Sequence, residues 1–226
     1  MTGQQNATGA FRILLVCTGN ICRSALAERL GRAYLAETLG EEPELIRLTS
    51  AGTGAVVGSG MHPDSALVLA GFGGDVGQFA ARQIQPDHTA DADLILTMTR
   101  GHRRDVLQLA PRALARTFTL REAASLLELL GEVEPDGDDL PTRARDLVRE
   151  MATARSRHTA SEDDDVPDPI NRPLEAHQEA GDLIAAALLP LLQRIVDLAD
   201  DVPSAAHGDD GFTDTGNDTG RIRSAS

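Results

Sequence analysis

Phe11-Arg12-Ile13-Leu14-Leu15-Val16-Cys17-Thr18-Gly19-Asn20-Ile21-Cys22-Arg23-Ser24 decides how the rest of the chain is read. Its first six residues are an almost unbroken apolar run of strand length, and a strand apolar on both faces belongs in the middle of a parallel sheet. Downstream, Leu26, Leu30, Ala33 and Tyr34 recur at helical spacing, with Arg29, Arg32 and Glu37 among them. Strand, tight polar loop and helix in that order aim backbone N–H groups and a helix N-terminus at one point, which makes an anion site. Cys17 ends the strand, where those donors favour a thiolate. Arg23 closes the loop and can hold two anionic oxygens with its planar fork. Gly19 and Asn20 suit the tight turn because both tolerate positive φ, and the Ser24 hydroxyl can donate toward the sulfur. Thr18, Ile21 and Cys22 complete a candidate phosphate-binding loop. A buried structural cysteine beside a chance arginine is the competing interpretation, and the agreement of strand, loop and helix weighs against it.

Outward from this loop, the composition sets limits. The chain has 226 residues, 41% of them hydrophobic but only 3% aromatic and none Trp, so the core must be built from Leu, Val, Ile and Ala. A formal net charge of −14 argues against a general nucleic-acid-binding surface. Only two cysteines occur, both in the loop, which argues against a disulfide scaffold and for a reducing, cytoplasmic setting. The polar N-terminus lacks a signal-peptide apolar region, and the densest apolar run, residues 184–192, is too short for a membrane span. The histidines are scattered without metal-ligand spacing, so neither metal nor cofactor is expected. No residue pattern speaks to an oligomeric state.

Along the chain, residues 45–49 read as a second strand, followed by a loop at Ser50-Ala51-Gly52-Thr53. His62-Pro63 opens a short helix to about Ala70, with His62 as a surface or capping residue. Residues 93–98 form a buried strand and Thr99 caps a helix to about Leu109. That helix turns Val106, Leu107 and Ala110 inward and Arg100, Arg103 and Arg104 outward. The arginines read as a solvated face or as a docking patch for an acidic substrate. Residues 116–120 read as a fourth strand and 122–130 as a helix. The segment 131–165 reads as an insertion: acidic loop, an exposed helix over 143–154, then polar linker. A long helix runs from Pro173 to about Ala199, and Pro190 should kink it near Ala186.

The Cys-x5-Arg-Ser motif on an N-terminal strand–loop–helix resembles that of the low-molecular-weight protein tyrosine phosphatases. The likeness continues through Thr49-Ser50-Ala51-Gly52-Thr53-Gly54, Ala81-Arg82-Gln83-Ile84 and Leu96-Thr97-Met98-Thr99-Arg100, and closes with Val166-Pro167-Asp168-Pro169. It implies an α/β fold with a four-stranded parallel sheet and helices on both faces. That domain would span residues 10–199 with the insertion at 131–165, between a flexible tail at 1–9 and a disordered acidic tail at 200–226. It also implies a cysteine-dependent phosphomonoester hydrolase acting on a phosphoprotein or small phosphomonoester through a cysteinyl-phosphate. Cys17 would be the nucleophile, Arg23 the oxyanion clamp and Asp168 the general acid, with Pro169 holding Asp168 extended. On spacing alone Asp168 is one more acid after Asp163, Asp164 and Asp165.

Departures from the family pattern bear on specificity. Val56 and Val57 stand where phosphotyrosine-accepting members carry a large aromatic, and Ile170 stands where a Tyr usually follows the Asp-Pro pair. Phe79 replaces a histidine that steadies the phosphate loop, and Arg82 is expected in a structural ion pair. Cys22 matches the family's second thiol, as a disulfide partner of Cys17 or as buried filler. Ile21, where phosphoarginine phosphatases of this fold tend to have Thr, favours an aryl phosphate. Two alternatives are an arsenate reductase using a low-molecular-weight thiol and a non-catalytic phosphate- or phosphopeptide-binding module.

Overall fold

The structure, a computed structural model, describes residues 9–40 and 45–199. Expectations for the tails at 1–8 and 200–226 lie outside the described residues. β1 (Phe11–Cys17) pairs in parallel with β2 (Ile46–Gly52) on one side and β3 (Leu94–Thr97) on the other, and β4 (Thr117–Thr119) extends the sheet beyond β3. The sheet order is therefore β2-β1-β3-β4, the four-stranded parallel arrangement expected. Because connections leave β1 toward opposite edges, a crevice opens at its C-terminal end, where sheets of this kind bind ligands. The Cys17 loop lies there.

Seven α-helices are described: α1 (Arg23–Leu39), α2 (Pro63–Gly71), α3 (Pro86–Asp91), α4 (Arg100–Leu109), α5 (Leu120–Leu130), α6 (Leu140–Ala154) and α7 (Leu174–Asp197). Alternation along β1 splits the core in two. Phe11, Ile13 and Leu15 join the large cluster built with α1, α5, α6 and α7, including Leu26, Leu126, Leu147, Leu188 and Leu192. Leu14 and Val16 face the other way, onto Ile95, Val106 and Ala113 under α4. This explains why β1 had to be apolar on both sides.

Three expectations are corrected here. β2 runs on to Gly52, because the register Val16↔Ala51 and Cys17↔Gly52 carries pairing into what read as a loop. α6 is not exposed: Leu140, Ala144, Leu147, Val148, Met151 and Ala154 are buried in the main core, which the acidic flanks concealed. Residues 156–165 are not plain linker. Two short 3₁₀ turns, Arg155–Arg157 and Glu162–Asp164, are pinned by a Ser161–Asp164 capping box and by His158 Nε2 at 3.0 Å from Asp164 Oδ1. The short α3 has no counterpart in the sequence reading.

α7 continues through Pro190. Pro190 and Ala186, whose carbonyl loses its helical partner, both face solvent, so water can serve that carbonyl. On the opposite face Leu188 and Leu192 lie against Gly31 of α1, where a Cβ would come within 3.4 Å and 3.2 Å of their methyl groups. Leu188→Ala would open a cavity at this three-way contact with the sheet and is expected to lower stability by about 2–5 kcal/mol, read from urea unfolding at fixed pH.

Candidate active site

The loop between β1 and α1 is shaped by where its carbonyls go. Those of Cys17, Thr18 and Gly19 accept hydrogen bonds from the amides of Thr53, Gly54 and Val56, at 2.9–3.0 Å. Those of Ile21 and Cys22 accept from His62 N at 2.8 Å and Leu26 N at 2.9 Å. In a planar trans peptide the C=O and the following N–H point in opposite directions. With five carbonyls held on the outside, the amides of Thr18, Gly19, Asn20, Cys22 and Arg23 turn to the inner side. α1 starts at Arg23, so its N-terminal dipole adds to them.

Asn20, at φ 55°, makes the left-handed turn and is fully buried. Its Nδ2 donates to Ser24 Oγ at 2.9 Å and to Ser50 Oγ at 2.8 Å, while its Oδ1 accepts from Arg82 N at 2.9 Å. Directions follow along this chain. Ser50 gives its proton to Glu28 Oε2 at 2.5 Å, and Glu28 Oε1 pairs with Arg32 at 3.0 Å. Ser24 Oγ already accepts from Asn20, so its own proton is free for Cys17 Sγ, 3.0 Å away. The hydroxyl is thus set to donate to a thiolate.

Arg23 is 4% exposed. Its Nη1 donates to the Val166 carbonyl at 3.0 Å and its Nη2 meets Asp168 Oδ2 at 2.6 Å. Nε is buried with no hydrogen-bond partner. Nε and Nη2 form one side of the guanidinium fork, so a tetrahedral oxyanion displacing the carboxylate from Nη2 would also satisfy Nε. The other Asp168 oxygen, Oδ1, accepts from Ile170 N at 3.2 Å. The segment bearing Asp168 is tied to the sheet by Val166 N to Met98 O at 2.8 Å, and to α4 by Asp165, which accepts from Arg100 N at 2.7 Å and pairs with the Arg100 guanidinium. Arg100, expected on a solvated or docking face, is thereby an anchor of this segment.

His102 was not singled out by the sequence reading. It stands beside Arg100, Arg103 and Arg104, a context that looks like an exposed basic face. Instead it is buried, with Nε2 2.8 Å from Thr18 Oγ1 and Nδ1 2.9 Å from Thr99 Oγ1. It braces the loop from the β3 side. Burial, with the Arg23 charge second, pushes its pKa from 6.5 down to about 4, so the ring is neutral at ordinary pH. Phe79 packs against the core, and Arg82, expected in an ion pair, instead donates from Nε to the Ser50 carbonyl at 2.6 Å.

Cys17 and Cys22 are both buried free thiols. The Cys22 thiol is pushed up to about 11, by burial first and by Cys17 and Asp168 less, against opposing effects of Ser65 and Arg23. Val56 and Val57 are exposed beside the loop, and Ile170 is at its acid segment, so the rim is aliphatic as expected. The scattered histidines do not stay apart. His62, which caps α2 through Asp64 N, stacks on His177 of α7 near Cys22, contrary to the expectation of no clustered ligands.

A cysteine at the mouth of an amide-lined loop, a buried guanidinium and a nearby carboxylate on a four-stranded parallel sheet define a phosphatase-like α/β protein. Residues 12–133 match the family described as low molecular weight phosphotyrosine protein phosphatase, and the chain belongs to that family. A low molecular weight protein-tyrosine-phosphatase of Streptomyces coelicolor is 33% identical over 82% of this chain and 93% of its own. Among solved structures, Wzb of Vibrio vulnificus in complex with benzylphosphonate is similar with a TM-score of 0.57 at 25% identity, covering 82% of this chain and 99% of that one. The YwlE arginine phosphatase from Geobacillus stearothermophilus is similar with a TM-score of 0.56 at 26% identity, over 83% and 91%.

The buried neutral His102 has a measurable consequence. Between pH 6.5 and about 4 the unfolded chain takes up the proton that the folded ring refuses. The ring's contribution to stability is therefore complete above pH 6.5 and is lost as pH falls toward 4. Urea unfolding of wild type and His102→Gln across this range should show the variant losing less stability on acidification, the difference reaching about 3 kcal/mol.

Proposed function

We propose that the chain is a cysteine-dependent phosphomonoester hydrolase of protein-tyrosine phosphatase type. The observation that supports this reading is the set of groups on and beside one loop: the Cys17 sulfur with the Ser24 hydroxyl 3.0 Å away, the unsatisfied Arg23 Nε, and Asp168 on Nη2 of the same guanidinium. Attack of the Cys17 thiolate on phosphorus forms the S–P bond and breaks the ester P–O bond. Protonated Asp168 gives its proton to the departing oxygen. The Thr18, Gly19, Asn20, Cys22 and Arg23 amides and the Arg23 fork follow the equatorial oxygens, which is where binding matters most in the transition state. Asp168, now a carboxylate, takes a proton from water as that water attacks phosphorus, and the S–P bond breaks to release inorganic phosphate. Ser24 Oγ, fixed as a donor by Asn20, stabilises the thiolate leaving in this second step.

The phosphatase unit is read as residues 10–199, including the segment 131–165, since α6 belongs to its core. Among the described residues no helix is long and apolar enough to cross a membrane. Two free thiols within one short loop suit a reducing compartment, so a cytoplasmic setting is part of the reading. A phosphoprotein or small aryl phosphate is the substrate class, with Ile21 disfavouring the phosphoarginine alternative.

Hydrolysis of p-nitrophenyl phosphate without added metal tests the proposal. Cys17→Ser should abolish turnover, and Asp168→Asn should cut kcat by about 10²–10⁴ with little change in phosphate affinity. Intact phosphate binding without turnover in wild type would support a binding module, and thiol-dependent arsenate reduction without ester hydrolysis a reductase. The aliphatic rim makes a second prediction. Ile170→Tyr should lower KM for an aryl phosphate about 2- to 10-fold, the worth of one added ring contact, without a matching change for an alkyl phosphate.

A further inference from the structure

Arg12 alternates onto the same face of the sheet as Leu14 and Val16. A groove of about 300 Å³ opens there between β1, β2 and the segment leading through α3. Its lining includes Arg12 of β1, Arg47 and Thr49 of β2, then Arg82, and His88 and Asp91 of α3. Three arginines thus border one cavity in a chain whose formal net charge is −14. The parallel register sets Arg12 directly beside Arg47, and like charges so placed repel. We propose that this groove is a second anion site, separate from the Cys17 loop, for a small molecule bearing a diphosphate.

The neighbouring acids leave this positive charge largely in place. Asp93 is already engaged: Oδ2 accepts from the Arg12 backbone N at 2.9 Å, and Oδ1 pairs with Arg145 Nε at 2.8 Å. Among the described residues Asp91 is the one acid in the lining, and it is exposed. Arg82 gives its Nε to the Ser50 carbonyl at 2.6 Å, and neither of its terminal nitrogens has a hydrogen-bond partner among the described residues. His88 lies close enough to sense that guanidinium. Burial first, and Arg82 second, hold its pKa below the usual 6.5, against the opposing effects of Asp87 and Asp91. Its Nδ1 accepts from Gln85 N at 3.2 Å, so the ring proton sits on Nε2 as a further donor.

The donors select the ligand. Guanidinium forks match the oxygens of a phosphate in pairs, and they keep their charge at any working pH. A groove of this volume suits a small molecule. Cations on both strands and beside α3 call for negative charge at more than one point, which a diphosphate has and a single carboxylate lacks. Through Arg82 the groove is also joined to the Cys17 loop. The Arg82 backbone N donates to Asn20 Oδ1 at 2.9 Å, while its guanidinium holds the carbonyl of Ser50, whose hydroxyl accepts from Asn20 Nδ2. An anion on the terminal nitrogens of Arg82 would steady both partners of Asn20.

Inorganic pyrophosphate is the probe, and full-length Arg23→Met protein is the host, because it lacks the guanidinium of the Cys17 loop. Calorimetry at fixed ionic strength should show one equivalent bound. Adding Arg12→Gln should weaken binding about 10-fold or more, the worth of one charged hydrogen bond. The Arg12 side chain is exposed and its backbone bond to Asp93 survives the change, so this variant should melt with its host. Arg82→Lys keeps a donor for Ser50 but loses the fork, and should weaken binding likewise. In wild type, pyrophosphate should shift the NMR amide signals of Arg12, Thr49 and Arg82, and Arg12→Gln should remove the shifts at Thr49 and Arg82 while sparing any at residues 17–24. Absence of binding by the host, undiminished affinity with Arg12→Gln, or wild-type shifts confined to residues 17–24 would overturn the proposal. None of these readouts requires turnover at Cys17, so failure here is distinct from failure of the phosphatase reading.

Discussion

Five outward hydrogen bonds to loop carbonyls are the constraint on which the rest of the molecule depends. A loop of successive inward N–H groups is unfavourable by itself, since its dipoles are aligned and it encloses no acceptor of its own. The structure offsets that cost by holding the opposite end of each peptide. Thr53, Gly54 and Val56 approach from the end of β2, His62 from the N-terminus of α2 and Leu26 from α1. The end of β2, α2 and α1 are thereby committed to the shape of one short segment. At Gly52, where β2 meets this arrangement, a Cβ would come within 2.2 Å of the Thr18 carbonyl. A side chain there would push β2 away from the loop whose carbonyls its following residues hold.

The same economy appears in the polar core. Asn20, Ser24, Ser50 and Glu28 are all buried, and their hydrogen bonds are donated outward from the Asn20 amide, through Ser50 to the Arg32-paired Glu28 carboxylate and through Ser24 to the Cys17 sulfur. Each member fixes the proton of the next. Such networks are costly when half satisfied and rigid when complete. Here one terminal proton arrives at the Cys17 sulfur, the atom proposed to attack phosphorus. The unsatisfied polar atom in the cradle is Arg23 Nε, and it faces the role that an incoming oxyanion would fill.

How far this was legible in the sequence depends on how local each feature is. β1, the loop and α1 are contiguous, and period, turn residues and the Cys–Arg spacing all agree, so they could be read directly. Asp168 could be named only through the resemblance. Its pairing with Arg23 is made by the carbonyl of Val166 and by the Asp165–Arg100 anchor, neither of which leaves a pattern in the sequence. His102 was hidden by its neighbours, whose charge describes the outer face of α4 while one residue among them turns inward. α6 was misread for a related reason. Its acidic and Pro/Gly-rich flanks suggested an exposed excursion, although the spacing of Leu147, Val148 and Met151 already described a buried stripe.

The Cys22 side chain of the same loop lies beside Ser65 and close to the stacked rings of His62 and His177. The two thiols of this loop therefore occupy different environments despite their proximity in sequence. Cys17 has a hydroxyl aimed at it by a directed network, whereas Cys22 lies in a desolvated wall that holds its proton firmly.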